Sequence, residues 1–183
     1  TEQVIVGHVA LGEVGHDLHS NGLLKLAHQL TFQTEYQASV EKCALDESVS
    51  RCGLLYMVGR GSFTIDAKGQ AVLGSFIKSG GTIFAECCAE DNPEGARQFG
   101  LSFNHLAEQL GRKLEVVQHG YPLLDCHYVF SAAPSGAQSE GLLMASEQIV
   151  YSSYDYGCAW SGGYSNSPLP RDIIRSALEI GVN

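Results

Sequence analysis

The stretch Gly53-Leu54-Leu55-Tyr56-Met57-Val58-Gly59-Arg60 decides how this chain folds, together with Gly80-Gly81-Thr82-Ile83-Phe84-Ala85-Glu86-Cys87-Cys88. Each holds a short apolar run, 54–58 and 82–85, that stops abruptly at loop-forming residues. Runs this short, bounded by glycine and separated by a helix-length segment, predict two parallel strands joined by a crossover helix. In open sheets of this kind, ligands gather outside the carboxyl ends of the strands. Arg60, Glu86 and Cys87 stand at those ends and become the first site candidates.

Working outward, Val4–Ala10 is β-branched and apolar and predicts a buried first strand. Asn21 is placed to cap a helix whose stripe is Leu23, Leu26, Ala27 and Leu30, at i, i+3, i+4, i+7. Glu35–Val40 alternates, as a strand near a sheet edge does. Between the two central strands, Thr64 is the expected cap of a helix with Val72, Leu73, Phe76 and Ile77 facing in. Phe99, Phe103, Leu106 and Leu110 mark a third helix, and Lys113–Val117 a short extended piece. Residues 119–146 lose all periodicity and read as a long excursion. Gln148–Ser152 is a further buried strand, and Pro170 opens a last helix. This order predicts a single doubly wound α/β domain over 1–183 with a mostly parallel, flavodoxin-like sheet.

Composition narrows the function classes. A formal charge of −9, with only 11 Lys and Arg, argues against a nucleic-acid surface, which needs clustered bases. No apolar run approaches the roughly 20 residues of a transmembrane helix. The chain opens on Thr1, not Met, as a processed, exported protein would, and the compartment stays unassigned.

Cys87, at a strand-to-loop turn, has the position of a nucleophile near backbone N–H groups. His127, after Cys126, and Asp155, after a later strand, are the base and acid that would complete a Cys-His-acid set. Against this, no glycines flank Cys87, and the neighbouring Glu86 carboxylate raises a thiol pKa. Arg60 is read either as an anion clamp or as a local partner of Glu86 or Asp155. Trp160, with Tyr151, Tyr154 and Tyr156, is read as a ligand or partner surface or as loop packing. For metal binding, His8, His16, Asp17 and His19 and the soft donors Cys87, Cys88, Cys126, His127 and Cys158 have suitable chemistry. None has the short ligand spacing of a zinc motif, so no metal and no other cofactor is expected. A Cys87–Cys158 disulfide joining two strand ends is a further alternative, and it would imply export.

Four segments carry a resemblance: Leu54–Phe63, Leu73–Cys87, Leu124-Asp125-Cys126-His127-Tyr128-Val129-Phe130, and Val150–Trp160 with its Asp155, Gly157, Cys158 and Trp160. In this order the chain resembles a bacterial family, the domain of unknown function 4159, related in fold to class I glutamine amidotransferases. The resemblance implies an amidotransferase-like α/β domain with its site at the carboxyl edge. The chain has Gly59-Arg60-Gly61 where that family usually has Gly-His-Gly, and His127-Tyr128 where it has His-Pro. It also lacks the amidotransferase Gly-x-Cys-x-Gly elbow and later His-x-Glu pair, so no glutaminase reaction is implied.

The leading expectation is a non-catalytic ligand-binding or protein-assembly module, with its functional edge built from Arg60, Glu86, Cys87, His127, Asp155, Cys158 and Trp160. Its partner would be an unidentified small ligand or protein, with a place as a subunit of a larger assembly. One alternative is a cysteine-dependent hydrolase or transferase using Cys87 with His127 and Asp155. The other is a Cys/His metal-binding domain.

Overall fold

The first strand, β1 (Glu2–Ala10), is buried over Val6 to Val9 and lies second from one edge of the sheet. A computed structural model describes residues 2–15 and 17–183. A loop leads from β1 into α1 (Ser20–Gln33), which buries Gly22, Leu23, Leu26 and Ala27. The cap position is His19, not Asn21, and it holds the left-handed conformation with φ 61°. The edge strand β2 (Tyr36–Lys42) returns beside β1. Then come β3 (Leu54–Gly59), α2 (Ala67–Lys78) and β4 (Thr82–Cys87), the crossover read from the glycine-bounded runs. Asp66, not Thr64, caps α2, accepting from the Gly69 N–H at 2.7 Å. Asn92 caps α3 (Pro93–Gln109), with proline in its first turn, where its missing N–H is not needed.

The excursion is less irregular than its sequence. It is entered by β5 (Glu115–Val116) and closes with β6 (Leu143–Ser146), which turns at Glu147 into β7 (Ile149–Ser152). A one-turn helix, α4 (Tyr156–Trp160), follows. A small hairpin of β8 (Gly163–Tyr164) and β9 (Ser167–Pro168) then leads to α5 (Arg171–Val182).

The main sheet has the order β2-β1-β3-β4-β7-β6-β5. The first five are parallel; β6 pairs antiparallel with β7, and β5 antiparallel with β6. The domain is therefore α/β with a mostly parallel sheet of seven strands. Side chains alternate between the two faces along each strand. Leu55, Met57, Ala85, Cys87 and Tyr151 pack under α2 and α3. Tyr56 and Val58 pack under α1, α4 and α5 with Trp160, Ala177 and Ile180. Among the described residues, no helix is long and apolar enough to cross a membrane.

Candidate metal centre

Strand parity decides which side chains meet at the carboxyl edge. Glu86 lies on the Tyr56 face of the sheet, and Cys87 packs on the α2–α3 face. The Cys88 N–H still bonds the Gly59 carbonyl at 3.0 Å, continuing the ladder by one residue. Its sulfur therefore returns to the Glu86 face, where it lies 3.8 Å from Cys158 Sγ.

Asp155 and Cys158 come from the turn after β7. Asp155 takes φ 54°, and its Oδ1 caps α4 by accepting from the Cys158 N–H at 3.2 Å. Its Oδ2 accepts from the Ala89 N–H and the Tyr164 hydroxyl, each at 2.9 Å. His19 arrives from the loop after β1, with Nε2 3.0 Å from Asp155 Oδ1 and 3.3 Å from Cys158 Sγ. Among the described residues, four besides glycine have clearly positive φ, and His19 and Asp155 are two of them. Backbone held in that region costs roughly 1–3 kcal/mol per residue and gathers at functional sites.

Two glycines allow the approach of these segments. A Cβ on Gly157 would collide with the His19 ring and the Tyr56 hydroxyl. A Cβ on Gly22 would collide with the Gly157 carbonyl, so α1 and α4 meet through bare backbone.

Which His19 nitrogen a bound ion would take follows from its neighbours. The Tyr56 hydroxyl donates to Glu86 Oε1 at 2.9 Å, so it accepts from His19 Nδ1–H at 2.7 Å. Nε2 is left facing Asp155 and the two sulfurs. In a Cys-His-Asp triad the nucleophile and the acid take opposite ring nitrogens. Here the carboxylate and Cys158 crowd the same one, an arrangement compatible with ligands around an ion. The ligand atoms of His19, Cys88, Asp155 and Cys158 all lie within 4.8 Å of one another, and all four residues are buried. Tetrahedral zinc, with Zn–S about 2.3 Å and Zn–N about 2.0–2.1 Å, sets two sulfurs about 3.8 Å apart and sulfur and nitrogen about 3.6 Å apart. The observed 3.8 Å and 3.3 Å match within a few tenths of an ångström.

The electrostatics are those of a crowded anionic pocket. Burial alone would lower the His19 pKa, but hydrogen bonds to Asp155 and Cys88 and the charges of Asp155 and Glu86 hold it up to about 10. The Cys158 hydrogen bond, opposed by burial and aided by His19, brings the Cys88 thiol down to about 5. That same hydrogen bond, with burial, pushes Cys158 far above the ordinary thiol range. Burial raises Asp155, but its bonds to His19, Ala89 and Tyr164 outweigh this and keep it below the usual carboxylate range. Burial raises Glu86 to about 7, against the pull of His19. Without an ion, one imidazolium balances several buried acidic groups, an expensive arrangement in a low-dielectric site.

Residues 7–183 match the model of a family described as a domain of unknown function, DUF4159. The chain belongs to that family. Among curated proteins, none matches it.

In this DUF4159 domain the residues singled out from sequence fall in different places. Asp155 and Cys158 belong to the cluster, and Glu86 supports it from below. Cys87 faces the other core, its pKa pushed up to about 12 chiefly by burial, and its S–H points to the Cys88 carbonyl at 3.5 Å. Cys158 therefore meets Cys88, and the Cys87–Cys158 pairing considered from sequence is not formed. Arg60 is exposed and donates to the Glu90 carbonyl at 2.7 Å, not to Glu86 or Asp155. Trp160 is fully buried and donates to the Ala177 carbonyl at 2.8 Å, fastening α4 to α5. His127 lies at the opposite edge of the sheet, in a groove with Glu2 and Tyr36, which begin β1 and β2. Its backbone N–H donates to Asn183 Oδ1 at 3.1 Å. The structure does not bring His127 to Cys87.

His16, weighed as a metal ligand, lies outside the described residues. His19 was weighed with it, but no local spacing connects it to Cys88, Asp155 and Cys158. A topological signal does: each ligand loop follows the carboxyl end of β1, β4 or β7.

Proposed function

We propose that this domain binds a transition-metal ion, zinc foremost, through His19 Nε2, Cys88 Sγ, an Asp155 oxygen and Cys158 Sγ. The observation that carries the reading is the convergence of these four donors from three separate crossover loops. Two sulfur ligands and an imidazole favour zinc over magnesium or calcium, which prefer oxygen. Four protein ligands fill a tetrahedral shell and leave no position for a reacting water, as in structural zinc sites. The ion would staple the loop after β1, the turn after β4 and α4. This makes the domain a non-catalytic binding or assembly module. A flavodoxin-like, amidotransferase-like scaffold fits the same reading, and the parallel order β2-β1-β3-β4-β7 supports it.

The test is elemental analysis of protein purified without chelator, with chelator-competition titration of the stripped protein. The expected result is one zinc per chain, lost in a Cys88→Ser/Cys158→Ser double variant. Equal zinc binding by that variant, or none by the parent, would overturn the reading. His127→Ala serves as the control for the cysteine-hydrolase alternative and should leave zinc binding unchanged.

A further inference from the structure

We infer that Tyr56 and Glu86 are positioning residues for that centre, a buried relay that fixes which nitrogen of His19 faces the ion and holds α4 beneath it. The inference rests on the metal-binding reading. Both residues are completely buried, and neither belongs to the cluster of four donors.

The relay runs from His19 Nδ1 to the Tyr56 hydroxyl at 2.7 Å and from that hydroxyl to Glu86 Oε1 at 2.9 Å. Glu86 then accepts from two backbone N–H groups of α4, Tyr156 at 2.7 Å onto Oε2 and Gly157 at 3.0 Å onto Oε1. Hence one carboxylate addresses two ligand segments at once. Through Tyr56 it keeps the Nδ1 proton in place and leaves the Nε2 lone pair for the ion. Through the peptide N–H groups it sets the turn that carries Cys158. A ligating histidine that donates its other N–H to a fixed acceptor is held in ring orientation and made more basic. Packing alone does not account for the hydroxyl. The Tyr56 ring already meets Phe84 and Trp160, each at 5.6 Å between centroids, and a phenylalanine would keep both contacts.

The experiment uses the full chain carrying Tyr56→Phe or Glu86→Gln. Zinc affinity is read by chelator competition, and cobalt(II) replaces zinc to report coordination through its visible absorption. Tyr56→Phe is expected to weaken zinc by about 10–100-fold, the range for such supporting partners, and to alter the cobalt bands. Glu86→Gln, which keeps the size but loses the charge, should weaken zinc in the same direction. A merely structural role would lower the melting temperature of the metal-free protein and leave affinity and cobalt spectrum as they are. That outcome overturns the inference while the metal site stands. A parent protein that binds no zinc overturns both. If Tyr56→Phe does not fold, Glu86→Gln decides by the same criteria.

Discussion

Cys43 and Cys52 bring their sulfurs to 3.8 Å, and so do Cys88 and Cys158. Around the first pair the neighbours are core residues of the α2 side, with Gly7 directly behind both sulfurs. Burial and Cys43 together push the Cys52 pKa up to about 12. Around the second pair stand an imidazole and a carboxylate, and Cys88 goes down to about 5. Sulfur spacing is the same in both, so spacing does not make a site. What sets the second pair apart is the donors of other kinds that stand around it.

The largest effect that would break this comparison is on metal affinity. Cys88→Ser or Cys158→Ser should weaken zinc by more than about 100-fold, beyond what supporting residues contribute. Cys43→Ser and Cys52→Ser should leave the chelator-competition curve where it was. A matched loss at Cys43 would show that the two pairs are not chemically distinct.

A smaller effect comes from one close-packed glycine in each region. A Cβ on Gly157 strikes the His19 ring, and one on Gly7 comes within 2.9 Å of Cys52 Sγ. Gly157→Ala and Gly7→Ala should each cost about 1–3 kcal/mol by overpacking, seen in the thermal melt. Only Gly157→Ala should also weaken zinc. If Gly7→Ala does so too, the two regions are mechanically linked.

The smallest effect is alkaline. Cys52 has its folded pKa raised from 9.0 to about 12, so the neutral thiol is favoured in the native state. Its contribution to stability is complete below pH 9.0 and is lost as pH rises towards about 12. Urea midpoints of the parent should therefore fall more steeply through this range than those of Cys52→Ser. Parallel curves would mean that Cys52 titrates as in the unfolded chain.

The central strands were legible because 54–58 and 82–85 are short, apolar and bounded by glycine. The stripes of α1 and α3 were legible because both helices are long enough to show a period. Strand β6 was not, since four residues ending at a tight turn give no periodicity. Nor was α4, a single turn held by side-chain caps and by burial on every side. Topology alone pointed to the carboxyl edge, where the His19, Cys88, Asp155 and Cys158 cluster lies, but which of Cys87 and Cys88 joins that cluster turned on one residue of strand parity. His127 was misleading for a different reason. Bonds to Asn183, far along the chain, help tie its loop to the other edge.

The position of β7, late in sequence but central beside β4, has a consequence for biogenesis. A nascent chain emerges with residue 19 early and residue 158 late, so a metal centre drawn from both could not close until the ribosome had made almost the whole domain. Until β7 inserts, one hydrogen-bonding edge of β4 lacks its neighbour, and an unpaired strand edge is the hazard of slow, long-range sheet assembly. Metal capture would then be a closing step of folding, and a truncated product ending before Asp155 would keep two donors and no cage.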